Sequence, residues 1–476
     1  MAWIVARLVL SSAPMTVRLS LALLVLAAAP AFAQPVSGPR PEDLSFQKEL
    51  DALFVGGGLT AEGAASRAAK VSPTVARKAA ELDAAIAQLE TVEVAEVPQI
   101  GGRASYTRLS FVQPFVIPFM GQNFTIPSLQ NQYILTASAV IPLSDYLVRY
   151  PHIVETAKLG EQAARVNQWS AEVGAAQDAR LAYYEWLRVK LSVLIAHRQL
   201  VQVQATLTQE QALADVQRVS RADLLRVQSQ EADAERTLDQ LTQLSVLREE
   251  QLRLLIGAPD SEPLTIGEDI RKDLTVPAVA NLDEMQKQAV SKRLEIKGVD
   301  LGIKAKESQQ KAELSNQYPR LAAVGSIDYD RPNQRVFPQV DQFRFTWAAG
   351  VQLTWTINDL LISRANAKRV HAETNELRAD RENLVRGTRI ELLAAQQAVQ
   401  VALHSLSSTD KGLLAAEESY RVRRELQDAG RATALELVDA QTDLTRAQIA
   451  ALNARIDLRL AMTQLAHALG NDIGSK

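Results

Sequence analysis

The sequence predicts a mainly α-helical protein with a small β part, built as two copies of one unit, a pair of β-strands followed by a very long helical hairpin. Three observations carry this reading. No proline lies between Pro151 and Pro259, nor from Asn358 to Leu469. Each of these stretches follows a region of strand-like, proline-punctuated sequence, Ile100 to about Ile141 and Leu321 to Ile357. The two halves also match each other in order.

The internal match is legible residue by residue. VPQIGGRASYT from Val97 resembles YPRLAAVGSIDY from Tyr318, and IPLSD ending at Asp145 resembles TINDL around Asp359. VSRADLLRVQSQEADAERTLDQL from Val219 resembles AGRATALELVDAQTDLTRAQIAAL from Ala429, and LRLLIG ending at Gly257 resembles LAHALG ending at Gly470. The separation between matched positions stays nearly constant along the chain. It is far longer than the roughly 20–50 residues at which solenoid repeats recur, so this is a duplicated unit and not a repeat array.

The expected organisation is a signal peptide over residues 1–33, a first repeat over 34–257, a linker over 258–281, a second repeat over 282–470 and a tail over 471–476. Arg18 precedes an apolar run from Leu19 to Ala29, and Ala31-Phe32-Ala33 forms a small-residue cleavage site before Gln34. That run is shorter than the ~20 residues that span a bilayer. Met15 is a second candidate start. Residues 34–45 read as an extended lead-in, and Phe46 to about Val92 as helix interrupted by Gly56-Gly57-Gly58 and Pro73. Pro114, Pro118 and Pro127 suit a loop between the first two strands.

Composition narrows the function classes. Of 476 residues, 47% are hydrophobic and 22% charged, which suits neither a disordered chain nor a polytopic helical membrane protein. A net charge of −3 leaves no basic surplus for nucleic acid. There are no cysteines, which excludes disulfides, thiolate catalysis and Cys-ligated metals. The five histidines, His152, His197, His371, His404 and His467, show no ligand spacing, and no phosphate loop, G-x-S-x-G or H-E-x-x-H occurs. The expectation is a protein that is not an enzyme and takes no cofactor or metal.

After Ala33 no window resembles a transmembrane helix, so contact with a membrane falls to strands. The clearest strand runs from Phe343 to Ile357. Phe343, Phe345, Trp347, Ala349, Val351, Leu353, Trp355 and Ile357 share one apolar face with aromatics near its ends, and the alternate positions are polar or small. This is the pattern of a membrane barrel strand, which needs about 9–11 residues, and also that of an outer strand in a soluble sandwich. Four such strands cannot close a barrel, since single-chain barrels begin at about eight. A membrane barrel here requires several chains.

The last helix carries a heptad seam. Leu437, Leu444, Ala451, Leu458 and Leu465 fall seven apart, and Ala440, Ala447, Ala454, Ala461 and Ala468 form a second row three residues on. In the first copy Leu238, Leu241, Leu252 and Leu255 hold a similar spacing that Arg248 and Gln251 interrupt. The hairpins are expected to turn at Arg218, Val219, Ser220, Arg221 and at Ala429, Gly430, Arg431, Ala432. Just past the second tip stand Glu436 and Asp439, which this alignment sets against Arg226 and Ser229 of the first copy. Paired carboxylates on a helix are ordinarily solvated, but an oligomer would multiply them into rings of negative charge.

Together the duplication, AGRATALELVDAQTDLTRAQ, the closing LAHALG and the YPRL step into a strand resemble the TolC family of outer-membrane efflux ducts. The resemblance covers about Phe46 to Gly470. It implies a homotrimer in which a trimeric α-helical periplasmic barrel is continued by a shared twelve-stranded outer-membrane β-barrel of a Gram-negative bacterium. It implies that the shorter helices, about Phe46–Val92 and Leu282–Gln317, join the helical barrel and the belt around it. It also implies tips that dock a periplasmic adaptor protein, an indirect link to an inner-membrane transporter, and carboxylates at Glu436 and Asp439 that narrow the closed end. The chain departs from the pattern at Ala432, where relatives often hold a basic residue. The expected function is a passive exit duct for efflux or type I secretion. A non-conducting coiled-coil tether of the envelope is the alternative, and it leaves the duplicated strand pairs without a purpose.

Overall fold

The computed structural model describes residues 48–126, 128–272, 274 and 281–471. The expected signal peptide and extended lead-in, residues 1–45, lie outside the described residues, as do Pro127, residues 273 and 275–280 of the expected linker and residues 472–476 of the expected tail. Of the unit that ends at Ala52, the described residues 48–52 are helical. Everything below concerns the unit from Leu53 onward.

The first repeat opens with β1 (Phe54–Leu59), α1 (Ala61–Val71) and α2 (Pro73–Val94). The Gly56–Gly58 run, expected to interrupt a helix, is instead part of β1. Gly58 approaches the backbone of Ile266 and Gly267 so closely that a Cβ there would sit 2.8 Å from Gly267 N, which is why a strand of glycines fits where a helix would not. Thr60 caps α1, its Oγ1 accepting from Gly63 N at 3.0 Å. Pro73 then forces Ser72 into an extended conformation, φ −60°, ψ 126°, and starts α2. The second repeat opens likewise with α6 (Leu282–Lys292) and α7 (Leu294–Ser315). The paired helices have the same lengths, 11 and 22 residues, in both copies. Arg293 holds the Ser72 conformation, φ −59°, ψ 128°, with leucine rather than proline after it.

Strands β2 (Gln99–Arg108), β5 (Asn131–Ile141), β6 (Arg320–Asp330) and β7 (Arg344–Thr354) form one antiparallel sheet in the order β2-β5-β6-β7. The expected strand Phe343–Ile357 is thus shorter, 11 residues, because Trp355 onward leaves the ladder to enter a helix. The expected loop of prolines contains a hairpin of its own, β3 (Phe115–Phe119) with β4 (Gln122–Ile126). Pro118 is tolerated there because the ribbon has two free edges. This extra hairpin explains the drift in repeat spacing. It lengthens the first copy between its strands, so Gln99 and Arg320, which open β2 and β6, stand further apart in the chain than Asn131 and Arg344, which open β5 and β7.

Below the sheet run α3 (Leu143–Val148), α4 (Tyr150–Asp215) and α5 (Arg221–Ile256), and in the second copy α8 (Asp359–Asp428) and α9 (Ala434–Ala468). The long helices hold 66 and 70 residues, about 100 Å each at 1.5 Å per residue. Pro151 sits in the first turn of α4, where its missing N–H leaves no intrahelical bond unmade. Neither long helix carries a strong amphipathic stripe, because different neighbours cover it along its length. Near the sheet α4 packs on α2 and α7, and α7 on α8. Toward the tips α4 packs on α5 and α9, and α9 on α8. The leucine row of α9 is buried, with Leu458 and Leu465 against Leu392, Ala395 and Val399 of α8. In α5 the buried row is Val227, Ala234, Leu252 and Ile256, whereas Leu255 is exposed.

Both short helices stop on a left-handed glycine, Gly257 (φ +64°) and Gly470 (φ +67°), at matching places in the two copies. Each glycine packs on the matching helix break, Gly257 against Val71 and Gly470 against Lys292 and Arg293. At the second tip Gly430 is also left-handed (φ +66°), but nothing lies within 4 Å of where its Cβ would stand. Gly430→Ala should therefore cost about 1 kcal/mol, the ordinary penalty of a left-handed alanine. Gly257→Ala should cost more, since its Cβ would meet three Val71 atoms at 3.1–3.2 Å. Denaturant unfolding of the detergent-solubilised variants measures both, and an equal loss at the two sites would contradict the packing described.

Candidate functional site

Three surfaces are candidates: the sheet with its free edges, the hairpin tips, and the belt where the linker crosses the helices. Residues paired across an antiparallel ladder share a face. The registers Tyr106↔Tyr133, Ala137↔Ile327 and Ile327↔Trp347 therefore carry one face across all four strands. It holds Phe345, Trp347, Val351 and Leu353 of β7, all exposed, with Ile327 and Tyr329 of β6 and Leu135 of β5 beside them. Trp347 is 66% exposed. The predicted residues Phe343 and Trp355 flank β7 outside the ladder. Tyr106, Tyr133, Phe343 and Tyr329 form an aromatic row across one end, with ring centroids 5.0–5.9 Å apart. The opposite face carries Arg103, Ser105, Ser138, Asp328, Thr346 and Gln352, and Thr136 Oγ1 donates to Asp328 at 2.9 Å.

Within the described residues β2 and β7 each pair on one side only. Both helical tiers end on α8 at one side, and on α2 or α5 at the other. Near the sheet the packing order is α2-α4-α7-α8, and toward the tips it is α5-α4-α9-α8. The outermost helices carry exposed apolar side chains, Val246, Leu247 and Leu254 on α5 and Ile390, Val401 and Leu414 on α8.

At the first tip α4 ends at Asp215, Gln217 takes a left-handed φ of +58°, and Ser220 caps α5 by accepting from Asp223 N at 3.1 Å. Arg218 and Val219 lie in the turn and Arg221 is the first residue of α5. At the second tip α8 ends at Asp428, and Ala429, Gly430, Arg431 and Ala432 form the turn before Thr433, the cap of α9. Left-handed Gln217 thus matches Gly430, and Ser220 matches Thr433. This corrects the sequence alignment by three residues. Glu436 stands opposite Asp223 and Asp439 opposite Arg226, so the first copy keeps a carboxylate at the first position. A side chain other than glycine at the first tip hid the match.

Glu436 has a structural task of its own. Thr433 Oγ1 accepts from its N–H and its carboxylate accepts from Thr433 N, both at 3.3 Å, which is a capping box. The same carboxylate pairs with Arg423 at 3.3 Å. Asp439 is exposed on the next turn. Tip residues 218, 220, 221, 429 and 431 are exposed, and Val219 and Ala432 are half-buried.

Two polar features escaped the sequence reading. Glu210 of α4 is only 3% exposed and continues the seam of Val203 and Leu207, where Leu207 packs with Val227 and Val438. Burial, and then the charge of Asp223, push its carboxyl above the usual range. Its place on the seam was the available signal. At the belt, residues 265–270 of the expected linker are built into the core. Leu59 N donates to Thr265 O and Gly267 N to Leu59 O, both at 2.8 Å, with Ile266 and Ile270 buried. Arg459 of α9, almost wholly buried, reaches Glu268 at 3.1 Å and donates to Lys272 O at 2.9 Å. Tyr184 donates to the same Glu268 carboxylate at 3.1 Å. Burial, and then Glu268, raise the phenols of Tyr183 and Tyr184. Among the described residues no group of histidine, aspartate and glutamate is placed to hold a metal.

Because folding favours the protonated form of Glu210, the native state loses stability as pH rises from the ordinary carboxylate range through its elevated value. Glu210→Gln should accordingly raise the melting temperature at about pH 7, with the gain shrinking toward about pH 4. Thermal scans across that range check it, and a pH-independent difference would remove the ionisation from the explanation.

Comparison with known proteins places this geometry. Residues 286–471 match the family model described as outer membrane efflux protein. The fold matches the solved structure of CusC, a transmembrane channel, with a TM-score of 0.73 and 15% identity over 88% of this chain and 93% of that one. It matches the Campylobacter jejuni CmeC outer membrane channel at 0.71 and 13% over 90% and 89%. It matches the Neisseria gonorrhoeae MtrE outer membrane channel in its open state at 0.71 and 18% over 86% and 88%. At such identities the likeness is one of fold. A search of curated proteins finds no match.

Proposed function

We propose that the protein, whose residues 286–471 match the outer membrane efflux protein family model, is the outer-membrane exit duct of a tripartite efflux or type I secretion system. It works as a passive homotrimer that spans the outer membrane and extends into the periplasm, and it catalyses no bond chemistry.

One observation carries this reading: every tier of the fold ends on unsatisfied edges. In lipid, unpaired strand edges cost several kcal/mol per backbone group, so β2 and β7 must find partners. Pairing β2 of one copy with β7 of the next closes a barrel, and three copies give twelve strands, within the range of membrane barrels. The same rotation sets α2 and α5 of one copy beside α8 of the next, covering Val246, Leu247 and Leu254 on α5 and Ile390, Val401 and Leu414 further down α8. The apolar face with Phe343, Phe345, Trp347, Val351, Leu353 and Trp355 then meets lipid, and the polar face lines the lumen. A coiled-coil tether would need none of this.

In such a trimer the tips, 218–221 and 429–432, point into the periplasm, where an adaptor protein docks and an inner-membrane transporter supplies the energy. Glu436 and Asp439 are repeated by symmetry into rings of negative charge near the periplasmic end, suited to narrowing the opening and favouring cations.

Mass measurement of the purified protein in mild detergent should give a trimer. A monomer would sink the shared barrel. Glu436→Gln with Asp439→Asn should raise single-channel conductance in planar bilayers and weaken its dependence on divalent cations. Glutamine still serves the capping box, so the tip stays folded. An unchanged conductance would take these carboxylates out of the constriction.

A further inference from the structure

The foot of the sheet carries an apolar surface that the barrel strands do not explain. Helix α3 is pinned to that foot on its polar side. Asp145 is buried and pairs with Arg149 at 3.6 Å, Ser144 Oγ accepts from Leu321 N at 3.0 Å, and the Tyr146 hydroxyl donates to Glu96 O. The other side of α3 is bare. Leu147 is 83% exposed, and Leu143, one turn before it, is exposed on the same side. Such a side chain gains nothing in water and is stabilised by burial against an apolar surface.

In the trimer proposed above, the neighbouring copies meet away from Leu147. Helix α3 follows β5 and packs on β6, the two inner strands of the sheet, whereas oligomer contacts fall on β2 and β7. The second repeat repeats the arrangement at the same level, with Ile357, Leu361 and Ile362 exposed just below Trp355. One and two turns further, Arg364 and Lys368 are exposed and make no ion pair among the described residues.

Position identifies the occupant. Eleven strand residues at about 3.3 Å each, tilted about 40°, span about 28 Å, close to the ~25 Å apolar band of a membrane barrel. Leu147, six residues past the end of β5, therefore falls at the membrane boundary on the helical side of the sheet. Leucines at that depth with cations just beyond them match the acyl boundary and phosphate layer of a leaflet.

We propose that α3 and the first three turns of α8 form a lipid-binding collar in the periplasmic leaflet, with Leu147, Leu361 and Ile362 at the acyl boundary of anionic glycerophospholipids and Arg364 and Lys368 at their phosphates. The collar rests on the duct reading above. It extends the lipid contact from strands to helices and fixes how deep the protein sits.

The absence of cysteine permits a clean test. Single variants Leu147→Cys, Leu361→Cys, Trp347→Cys and Lys158→Cys of the full chain take a nitroxide label and are reconstituted in phosphatidylglycerol-containing vesicles. Electron paramagnetic resonance then compares collisions with oxygen and with a water-soluble nickel chelate. Labels at 147 and 361 should behave as at 347, relaxed by oxygen and shielded from nickel, while 158 shows the reverse. If 147 and 361 follow 158 while 347 stays lipid-like, the collar is wrong and the barrel stands. An immobilised label at 147, shielded from both reagents, means that protein covers it and also overturns the collar. If 347 itself is open to nickel, the duct reading fails together with the collar.

Discussion

Strands β2 and β7 each present a row of backbone N–H and C=O groups without partners in the described chain. In water such a row is a liability, and in lipid it is intolerable. Most of the architecture answers to this constraint. The sheet is a simple meander, so its first and last strands are the free ones, and the helices that adjoin them, α2 before β2 and α8 after β7, are the outermost helices of the tier beneath. Sheet and helices thus present their edges on the same two sides, and one rotation can satisfy both.

Length is managed by dividing the partners. A helix of 66 or 70 residues cannot be covered by one neighbour unless that neighbour is equally long. Here each is covered by helices of about half the length, and the joints between them are capped by the left-handed glycines packed on the breaks at Ser72 and Arg293. The linker seals the joint. Its pairing with β1 and the Glu268–Arg459 contact tie the chain between the repeats to the last helix. Arg459 is nearly inaccessible and bonded three times, to Glu268 and to the carbonyls of Arg455 and Lys272, which is how a buried guanidinium becomes tolerable.

The two copies agree in backbone and differ in charge. Both tips have a left-handed residue followed by a capping hydroxyl three positions on. Both have a carboxylate at the third helical position, Asp223 and Glu436. They part at the next turn, where Arg226 stands against Asp439. Among the described residues of the long helices, the buried seam carboxylate is on α4, Glu210, held beside Asp223. Duplication preserved the caps, which any helix of this kind needs, and left the solvent-facing and seam positions free to diverge.

The sequence by itself determined the duplication, the long helices, the alternation of β7 and the leucine and alanine rows of α9, because each is written as a period or as an absence of proline that local physics reads directly. It placed the tips to within three residues but misaligned the copies, since a left-handed glutamine at 217 carries no glycine to mark it. It could not show that Gly56–Gly58 form a strand, that residues 265–267 close it, or that Glu268 finds Arg459. Those depend on segments far apart in the chain meeting at one level of the fold. The exposed side of α3 was equally hidden. Its six residues are too few for a period, and only the tertiary structure decides which of them face the sheet and which are left for something else to cover.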